Sequence, residues 1–409
     1  MAKVQINSIE YELGFVIMKK DEDEGGKAAG VELSYDDIAS FQIDSDLSRI
    51  MLTCFMTYYD RQNAIATHFY ADSSTVLQVQ LSTTSKRVEA KTLMAFVVDA
   101  IQVISKDTGV ACYQISGTHI DFQKMEAQAN YSTYDMADGK PQDALEIVKN
   151  LLTAKNIENL TDEAITQSGK TINYISFVED ELRTQVDKLM NIASSGGVGI
   201  YFLGYDILKS AFVISSATNV PTDGAHVLMI ANATSGSTFD NYSAIKSMEE
   251  ISTGFVASSA HKFYDDREIS TYSHVSRKWN KKIYKFDDIS KILKRKDMAS
   301  KLFYAPPQWQ KTAPLGKTQI QDVDDSTFGF SLRSEMLLAR CIKVVVGGNL
   351  QFRTGEMVFL GSYDDSMLEK YGGMWLLTMI SHKFVRSVFD TELTLTKVYR
   401  NEKDITKQR

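Results

Sequence analysis

Apolar and polar positions are most regularly arranged over residues 341–400, where four apolar runs follow one another at 341–346, 357–360, 374–384 and 389–399. Each break carries a turn signal: Gly347-Gly348, then 361–365, then Gly372-Gly373, then the polar step around Arg386. In the last run Phe389, Leu393, Leu395 and Tyr399 alternate with Asp390, Glu392, Thr394 and Thr396. A period of two is that of a strand with one wet and one dry face. The third run starts apolar on both faces (Met374, Trp375, Leu376, Leu377), which predicts a central strand. Four short strands joined by tight turns predict an antiparallel meander, and such a sheet loses its exposed edges by curling into a barrel.

The first ninety residues have a similar texture. An apolar stretch at 11–18 precedes the charged tract 21–27, which is too polar to pack and reads as a surface loop. Strand signals recur at 41–43, 50–59, 64–70 and 75–82; in the last, Leu77, Val79 and Leu81 alternate with Gln78, Gln80 and Ser82. Short turns without a convincing helix predict a second antiparallel barrel here. The two regions share patterning but no residue-level similarity.

From Ala90 the pattern changes. Met94, Phe96, Val98, Ile101 and Ile104 fit a strand or a helix equally. Pro141, after Asp138-Gly139, predicts a helix with proline in its first turn, and Ala144, Leu145, Val148, Leu151 and Leu152 follow at helical spacing. A second helix is expected from about Phe177 to Ala193, with Leu182, Val186, Leu189, Met190 and Ile192 on its dry face. It should stop at Ser194-Ser-Gly-Gly197, with strands resuming at 199–203 and 211–215. This is the pattern of an inserted α/β region. Residues 216–335 are less patterned, with short strands expected at 226–232 and 254–258. A long exposed connection is expected around Pro306-Pro307, Pro314 and Gly316.

A chain of 409 residues implies two or three domains and can bury ample core without staples. No apolar run nears the roughly 20 residues that span a bilayer, and the N-terminus lacks a signal-peptide core. Synthesis and assembly in a cytoplasm are therefore expected, without a membrane. Cys54, Cys112 and Cys341 are odd in number and far apart, which favours buried free thiols over disulfides or a metal set. A net charge of −7 disfavours non-specific nucleic-acid binding, which needs basic surface to displace counterions. Five prolines imply few linkers and domains packed together.

Candidate chemistry is sparse. Gly197, Gly199 and Gly204 follow a helix and precede a strand, the reverse of a dinucleotide loop. His261 and His274, with Asp265 and Asp266 between them, do not complete a metal set. His382 interrupts an apolar strand; catalysis would need a nucleophile or carboxylate beside it, and a buried imidazole satisfied by a backbone carbonyl fits better. The carboxylates Glu179, Glu181, Asp324 and Asp325 look solvated, unlike a glycosidase pair. Hydrolase and nucleotide motifs are absent from the sequence. The reading is therefore a non-enzyme with no cofactor or metal. One stretch is basic: Arg277, Lys278, Lys281, Lys282, Lys285, Lys291, Lys294, Arg295 and Lys296 interleave with Trp279, Tyr284 and Phe286. It fits single-strand binding, or a solvated helix face whose apolar stripe continues in Ile289, Ile292 and Leu293. It also fits electrostatic contact with an acidic neighbour.

The C-terminal motifs carry a resemblance. Asn349-Leu-Gln-Phe-Arg-Thr-Gly355-Glu-Met-Val-Phe-Leu360, Gly373-Met-Trp375, Ile380-Ser-His382-Lys-Phe384 and Thr391-Glu-Leu-Thr-Leu395 resemble the closing barrel of bacteriophage tail hub proteins. That family includes late-control tail proteins and the baseplate hubs of contractile tails. Its pattern is carried here by Gly355, Glu356, Gly373, Trp375, His382 and Phe384. The resemblance implies a predominantly β α+β fold with two tube-like antiparallel barrels and an inserted helix-containing domain. The expected division is a barrel at 1–90, an α/β insertion at 91–205 and strands of the second barrel plus a partner-facing insertion at 206–335. Closing strands at 336–400 and a polar tail at 401–409 complete it.

It also implies a homotrimer in the virion tail baseplate. Six barrels in a ring would meet the sixfold tail tube at one end and a separate trimeric spike at the other, since one barrel per chain could match only one symmetry. Baseplate wedge and tape measure proteins would be neighbours, and DNA would pass the lumen only as cargo. The short polar tail leads to the expectation that no spike domain is fused. The alternatives are a β-barrel cell-wall hydrolase and a single-strand-binding module using 277–296.

Overall fold

The computed structural model describes residues 2–6, 9–19, 30–63, 65, 69, 74–83, 91–107, 110–126, 132–135, 141–162, 165, 168–172, 174–177, 181–196, 199–217, 226–230, 244–251, 267–273, 278–284, 329–330, 333–334, 337, 341–362, 364–386 and 388–397. The chain opens with β1 (Ala2–Ile6), β2 (Ile9–Lys19), β3 (Gly30–Leu33), β4 (Ile38–Asp46), β5 (Met51–Asp60), β6 (Thr75–Thr83), β7 (Lys91–Asp107) and β8 (Val110–His119). Alternation explains these strands: in β5, Leu52, Cys54, Met56 and Tyr58 are buried while Phe55 and Tyr59 face out. They pair antiparallel in the order β1-β2-β6-β7-β8-β5-β4. β3 lies against β2, and a 3-10 turn at Tyr35–Asp37 leads from β3 into β4. The segment 30–46 thus touches β2 with its first half and β5 with its second, so the pairing path closes on itself.

Two expectations change here. The ambiguous stretch 94–104 is strand β7, held between β6 and β8, so the sheet runs past residue 90. Its β-branched residues fit a pleated surface better than a helix. Of the expected strand at 64–70 only Ile65 and Phe69 are described, and Phe69 N–H donates to the Ile65 carbonyl at 3.2 Å, a helical rather than an extended spacing. Both side chains are buried in the core; the other residues of 64–70 lie outside those described.

Next come α1 (Ile120–Glu126), β9 (Ser132–Asp135), β10 (Gln142–Asp143), α2 (Ala144–Ala154), β11 (Asn159–Thr161), β12 (Thr171–Ile172), β13 (Tyr174–Phe177), α3 (Leu182–Ser194), β14 (Tyr201–Asp206) and β15 (Ala211–Ser216). Helix α2 starts after Asp143 rather than at Pro141. The Asp143 carboxylate accepts from Leu145 N–H at 2.9 Å and also from Ser168 N–H at 2.9 Å, satisfying an otherwise orphaned donor of the first turn. Helix α3 starts at Leu182 rather than near Phe177, because Phe177, expected at its start, ends strand β13 and pairs with β9 instead. β11, β15 and β14 form a small mixed sheet beside the helices.

The remaining elements are β16 (His226–Ile230), β17 (Ala244–Ile245), β18 (Ser247–Ile251), β19 (Arg267–Ser273), β20 (Lys278–Tyr284), β21 (Cys341–Gly347), β22 (Met357–Ser362), α4 (Asp365–Tyr371), β23 (Gly373–Val385) and β24 (Val388–Lys397). All four predicted C-terminal strands are present, but their order is β22-β23-β24-β21. They are not a simple meander, because the loop after β21 carries the chain across to the far side of the group. The break between β22 and β23 holds helix α4, capped by the Asp364 carboxylate, which accepts from Ser366 N–H at 2.9 Å. Beyond β22 the sheet continues to β16 and β17; Lys246 then donates to the Val345 carbonyl, and β18 pairs with β21. This second path also closes on itself. The predicted strand at 254–258 lies outside the described residues.

β23 joins the two closed sheets. Its first residues pair with β22, while Met379–Phe384 pair with β4, across a register shift between Leu377 and Met379. It is central, as its two-faced apolar pattern required. The fold is predominantly β with few helices.

Candidate functional site

The motif residues converge on the loop between β21 and β22. Gly355 has φ of +87° and its N–H donates to the Leu377 carbonyl at 2.8 Å. Only glycine enters that region cheaply, and a Cβ there would also stand 2.5 Å from Ser215 Oγ. One residue earlier, the Thr354 carbonyl lies so close to Gly204 of β14 that a Cβ on Gly204 would overlap it. Thr354 Oγ1 accepts from Tyr205 N–H at 3.3 Å and sits 3.2 Å from Ser45 Oγ of β4. This short turn therefore touches the first closed sheet, the inserted region and the second closed sheet.

A charge cluster surrounds it. Arg353 donates to Asp162 Oδ1 at 2.8 Å, and its Nε lies 3.7 Å from Glu356 Oε2. The backbone N–H of Arg353 donates to Glu356 Oε1 at 3.2 Å, and His226 Nε2 lies 3.9 Å from Oε2. Burial pushes Glu356 up to about 8, with Asp206 and Asp162 adding to the rise and Arg353 opposing it. Burial likewise raises Asp162 against the pull of Arg353 and lowers His226. At neutral pH Glu356 is largely protonated, so the cluster is tied by Arg353 to Asp162 and by hydrogen bonds. Its geometry suits holding three parts of the chain together.

The other motif residues are buried. Trp375 is fully enclosed, donates Nε1–H to the Tyr371 carbonyl at 2.8 Å and has Lys397 Nζ 4.8 Å from its ring centre. Gly373, at φ +105°, starts that strand. Phe384 stacks on Phe389 at 4.0 Å, and the pair reaches Phe41 and Tyr11 of the first sheet. His382 is fully buried, as expected, but its partner is Thr391 Oγ1, 3.1 Å from Nδ1, not a backbone carbonyl. Burial alone pushes it down to about 3, so it stays neutral. Cys54, Cys112 and Cys341 are buried free thiols.

The basic stretch is not a helix where it is described. Lys278, Trp279, Lys281 and Lys282 lie on β20, paired antiparallel with β19, and Trp279 is 62% exposed. A two-residue period lets β-branched and aromatic residues share a pleated face, which the helical reading overlooked. Arg277, Lys285, Lys294, Arg295 and Lys296 lie outside the described residues, as do His261, His274, Asp265, Asp266, Glu179, Asp324, Asp325 and Gly197. Among the described residues no group of three His, Cys, Asp or Glu could hold a metal ion, and no helix is long and apolar enough to cross a membrane.

Sequence reasoning found Gly355 and Glu356 but missed their partners Asp162, Ser45, Gly204, His226 and Arg353. Only Gly204, a glycine inside an apolar strand, gave a signal of close backbone approach.

No family model matches the chain, and no curated protein matches it. Solved structures do. The chain is similar to the tail protein of Neisseria meningitidis MC58, at 12% identity and a TM-score of 0.53, over 94% of this chain and 96% of that one. It is similar also to the 43 kDa tail protein of prophage MuSo2 from Shewanella oneidensis, at 12% identity and a TM-score of 0.56, over 94% and 98%. The chain has the predominantly β fold of phage tail proteins, and the resemblance read from residues 349–395 is borne out at the level of that fold.

Proposed function

We propose that the chain is the structural hub of a phage tail baseplate. Three copies form a ring of six barrels that adapts a sixfold tail tube to a threefold spike. The observation that supports this most directly is that one polypeptide carries two pairing paths, each closing on itself and joined edge to edge through β4 and β23. Two similar units per chain let a threefold assembly imitate sixfold symmetry. The first barrel extends through β8, the helices and β14–β15 form the insertion, and 336–400 close the second barrel. Gly355, Glu356, Gly373, Trp375, His382 and Phe384 serve as structural residues that fix this arrangement. The hairpin bearing Lys278, Trp279, Lys281 and Lys282 is a protein-contact face. Wedge and tape measure proteins are neighbours, DNA is cargo in the lumen, and the location is the virion tail.

The test is electron microscopy with mass measurement of the purified chain. A ring at three times 45.9 kDa, with six lobes around the axis, is the expected result. A persistent monomer at micromolar concentration would overturn the reading. Clearing of peptidoglycan in a zymogram would instead favour the hydrolase alternative.

A further inference from the structure

Arg353 stands between two carboxyl groups that belong to different parts of the molecule. Asp162 follows β11 of the insertion and is fixed there: its N–H donates to the Ile214 carbonyl at 3.1 Å, and its carbonyl accepts from Ile165 N–H at 2.8 Å. Glu356 sits in the turn that leads into β22 of the second closed sheet. Arg353 Nη2 donates to Asp162 Oδ1 at 2.8 Å, whereas its Nε stops 3.7 Å from Glu356 Oε2, beyond hydrogen-bond reach. The guanidinium therefore ties the insertion to the second sheet.

Glu356 has no cation within hydrogen-bond distance among the described residues. Its side chain is 11% exposed, and Oε1 accepts the Arg353 backbone N–H at 3.2 Å. A carboxyl taken out of water with so little compensation keeps its proton, in line with a value pushed up by burial to about 8, just above neutrality. The groups facing it come from three places: Arg353 of its own turn, His226 of β16 with Nε2 3.9 Å from Oε2, and Asp162 and Asp206 of the insertion. Burial, helped by Arg353, keeps His226 neutral at that pH, and Lys209 lies against Asp206 at 4.0 Å. Among the described residues, Arg353 is then the cation that a charge on Glu356 would attract.

We infer that Arg353 changes partner when Glu356 loses its proton, leaving Asp162 for Glu356 and loosening the β11 edge of the insertion from the second closed sheet. The proton passes to solvent, the guanidinium stays charged throughout, and only the carboxylate it faces changes. Two forces act together. The new carboxylate attracts Arg353 Nε, and it repels Asp162, whose own burial Arg353 had offset. Below the value for Glu356 the tie to Asp162 is intact, and it weakens as pH rises through that value. The backbone approach of Gly204 to the Thr354 carbonyl does not depend on charge, so β14 stays in place and the release is confined to β11. One chain suffices for the exchange, whatever its assembly.

The experiment is hydrogen exchange of the full chain at about pH 6.5 and about pH 9.5, with rates corrected for the intrinsic pH dependence of amide exchange. Between the two, protection of peptides covering 157–162 should fall about two- to fivefold more than that of β5, the range for a partly exposed ion pair. Glu356→Gln, which keeps the neutral hydrogen bond to the Arg353 N–H, should abolish that extra loss. Asp162→Asn should leave 157–162 weakly protected at both pH values. Wild type decides the matter even where a variant does not fold: equal changes in 157–162 and β5 would overturn the exchange. So would a Glu356→Gln chain that still loses protection in 157–162 alone, or an Asp162→Asn chain as well protected there as wild type at the lower pH.

Discussion

The closed sheet built from β2–β8 shares its core with the inserted helices, whereas the one built from β16–β24 keeps a smaller core to itself. The first core runs without a break from Phe15, Phe41 and Phe96 to Leu145, Val148, Leu189 and Met190 of α2 and α3. The second gathers Trp375, Leu377, Ile342, Val344, Leu393 and Leu395. Chain order does not mark the division. Phe384 and Phe389, near the C-terminus, belong to the first core, because the turn between β23 and β24 reaches across to β2 and β4. Insertion and first sheet therefore share one core, while the second sheet is joined to them through β23, the Phe384–Phe389 tip and the turn 354–356.

The sharpest way to break this comparison is a pair of truncations in the same region of sequence. Trp375→Ala and Phe389→Ala should each cost about 3–5 kcal/mol, the range for a buried aromatic. Hydrogen exchange should separate them. Trp375→Ala should lose protection first in β16–β18 and β21–β22, and Phe389→Ala first in β2 and β4. The same pattern from both would mean that the two cores are one.

Gly204→Ala tests the joint. Its Cβ would overlap the Thr354 carbonyl, backbone against backbone, so the β14 strand or the turn must move. A loss of about 1–3 kcal/mol is expected by thermal unfolding, with early exchange at 353–356.

The charge cluster offers a smaller effect that depends on pH. Glu356 holds its proton up to about 8 when folded, against an ordinary value of 4.5. Between those values the folded chain binds more protons than the unfolded one, so this group makes stability fall as pH rises. His382, pushed down to about 3, acts the other way, but only below its ordinary 6.5. From pH 6.5 to 8, Glu356→Gln should therefore flatten a decline seen in wild type. An unchanged slope in denaturant melts would count against a protonated Glu356.

The smallest effect lies on the outer face. Glu392 accepts from Lys383 at 2.9 Å and pairs with Lys343 at 2.7 Å. Burial alone would raise its carboxyl, but the two lysines hold it below its ordinary value. Its contribution is present above the ordinary carboxylate range and is lost as pH falls through the depressed value. Glu392→Gln should cost less than about 1 kcal/mol, as exposed pairs do, and the difference from wild type should vanish in acid. A loss as large as that of Gly204→Ala would mean that this ladder is not merely a surface feature.

Local pattern was enough to find β2, β4, β5 and β6 of the first closed sheet, β16 and the four C-terminal strands of the second, and the two long helices, since burial on one face imposes a period of two or 3.6 on any chain; β3, β8, β17 and β18 were not read from it. The six motif positions came from the resemblance to tail hub proteins and not from periodicity. Local pattern misled where a neighbour outweighed it. β7 is a strand because β6 and β8 flank it, and Phe177, expected to start a helix, is in β13 because β9 offered hydrogen bonds.

By itself, then, the sequence determined many of the strands, the two long helices and which face of each is dry. It also determined that the chain is β-rich and holds no recognisable catalytic motif. Only the tertiary structure decided which strands are neighbours, that β21 lies beside β24 and that β23 serves both sheets. The same holds for the gathering of Asp162, His226, Arg353 and Glu356 at one joint. Periodicity is a property of residues a few positions apart, while partner choice depends on groups tens to hundreds of positions away. Their compatibility in shape and charge leaves almost no trace along a single chain.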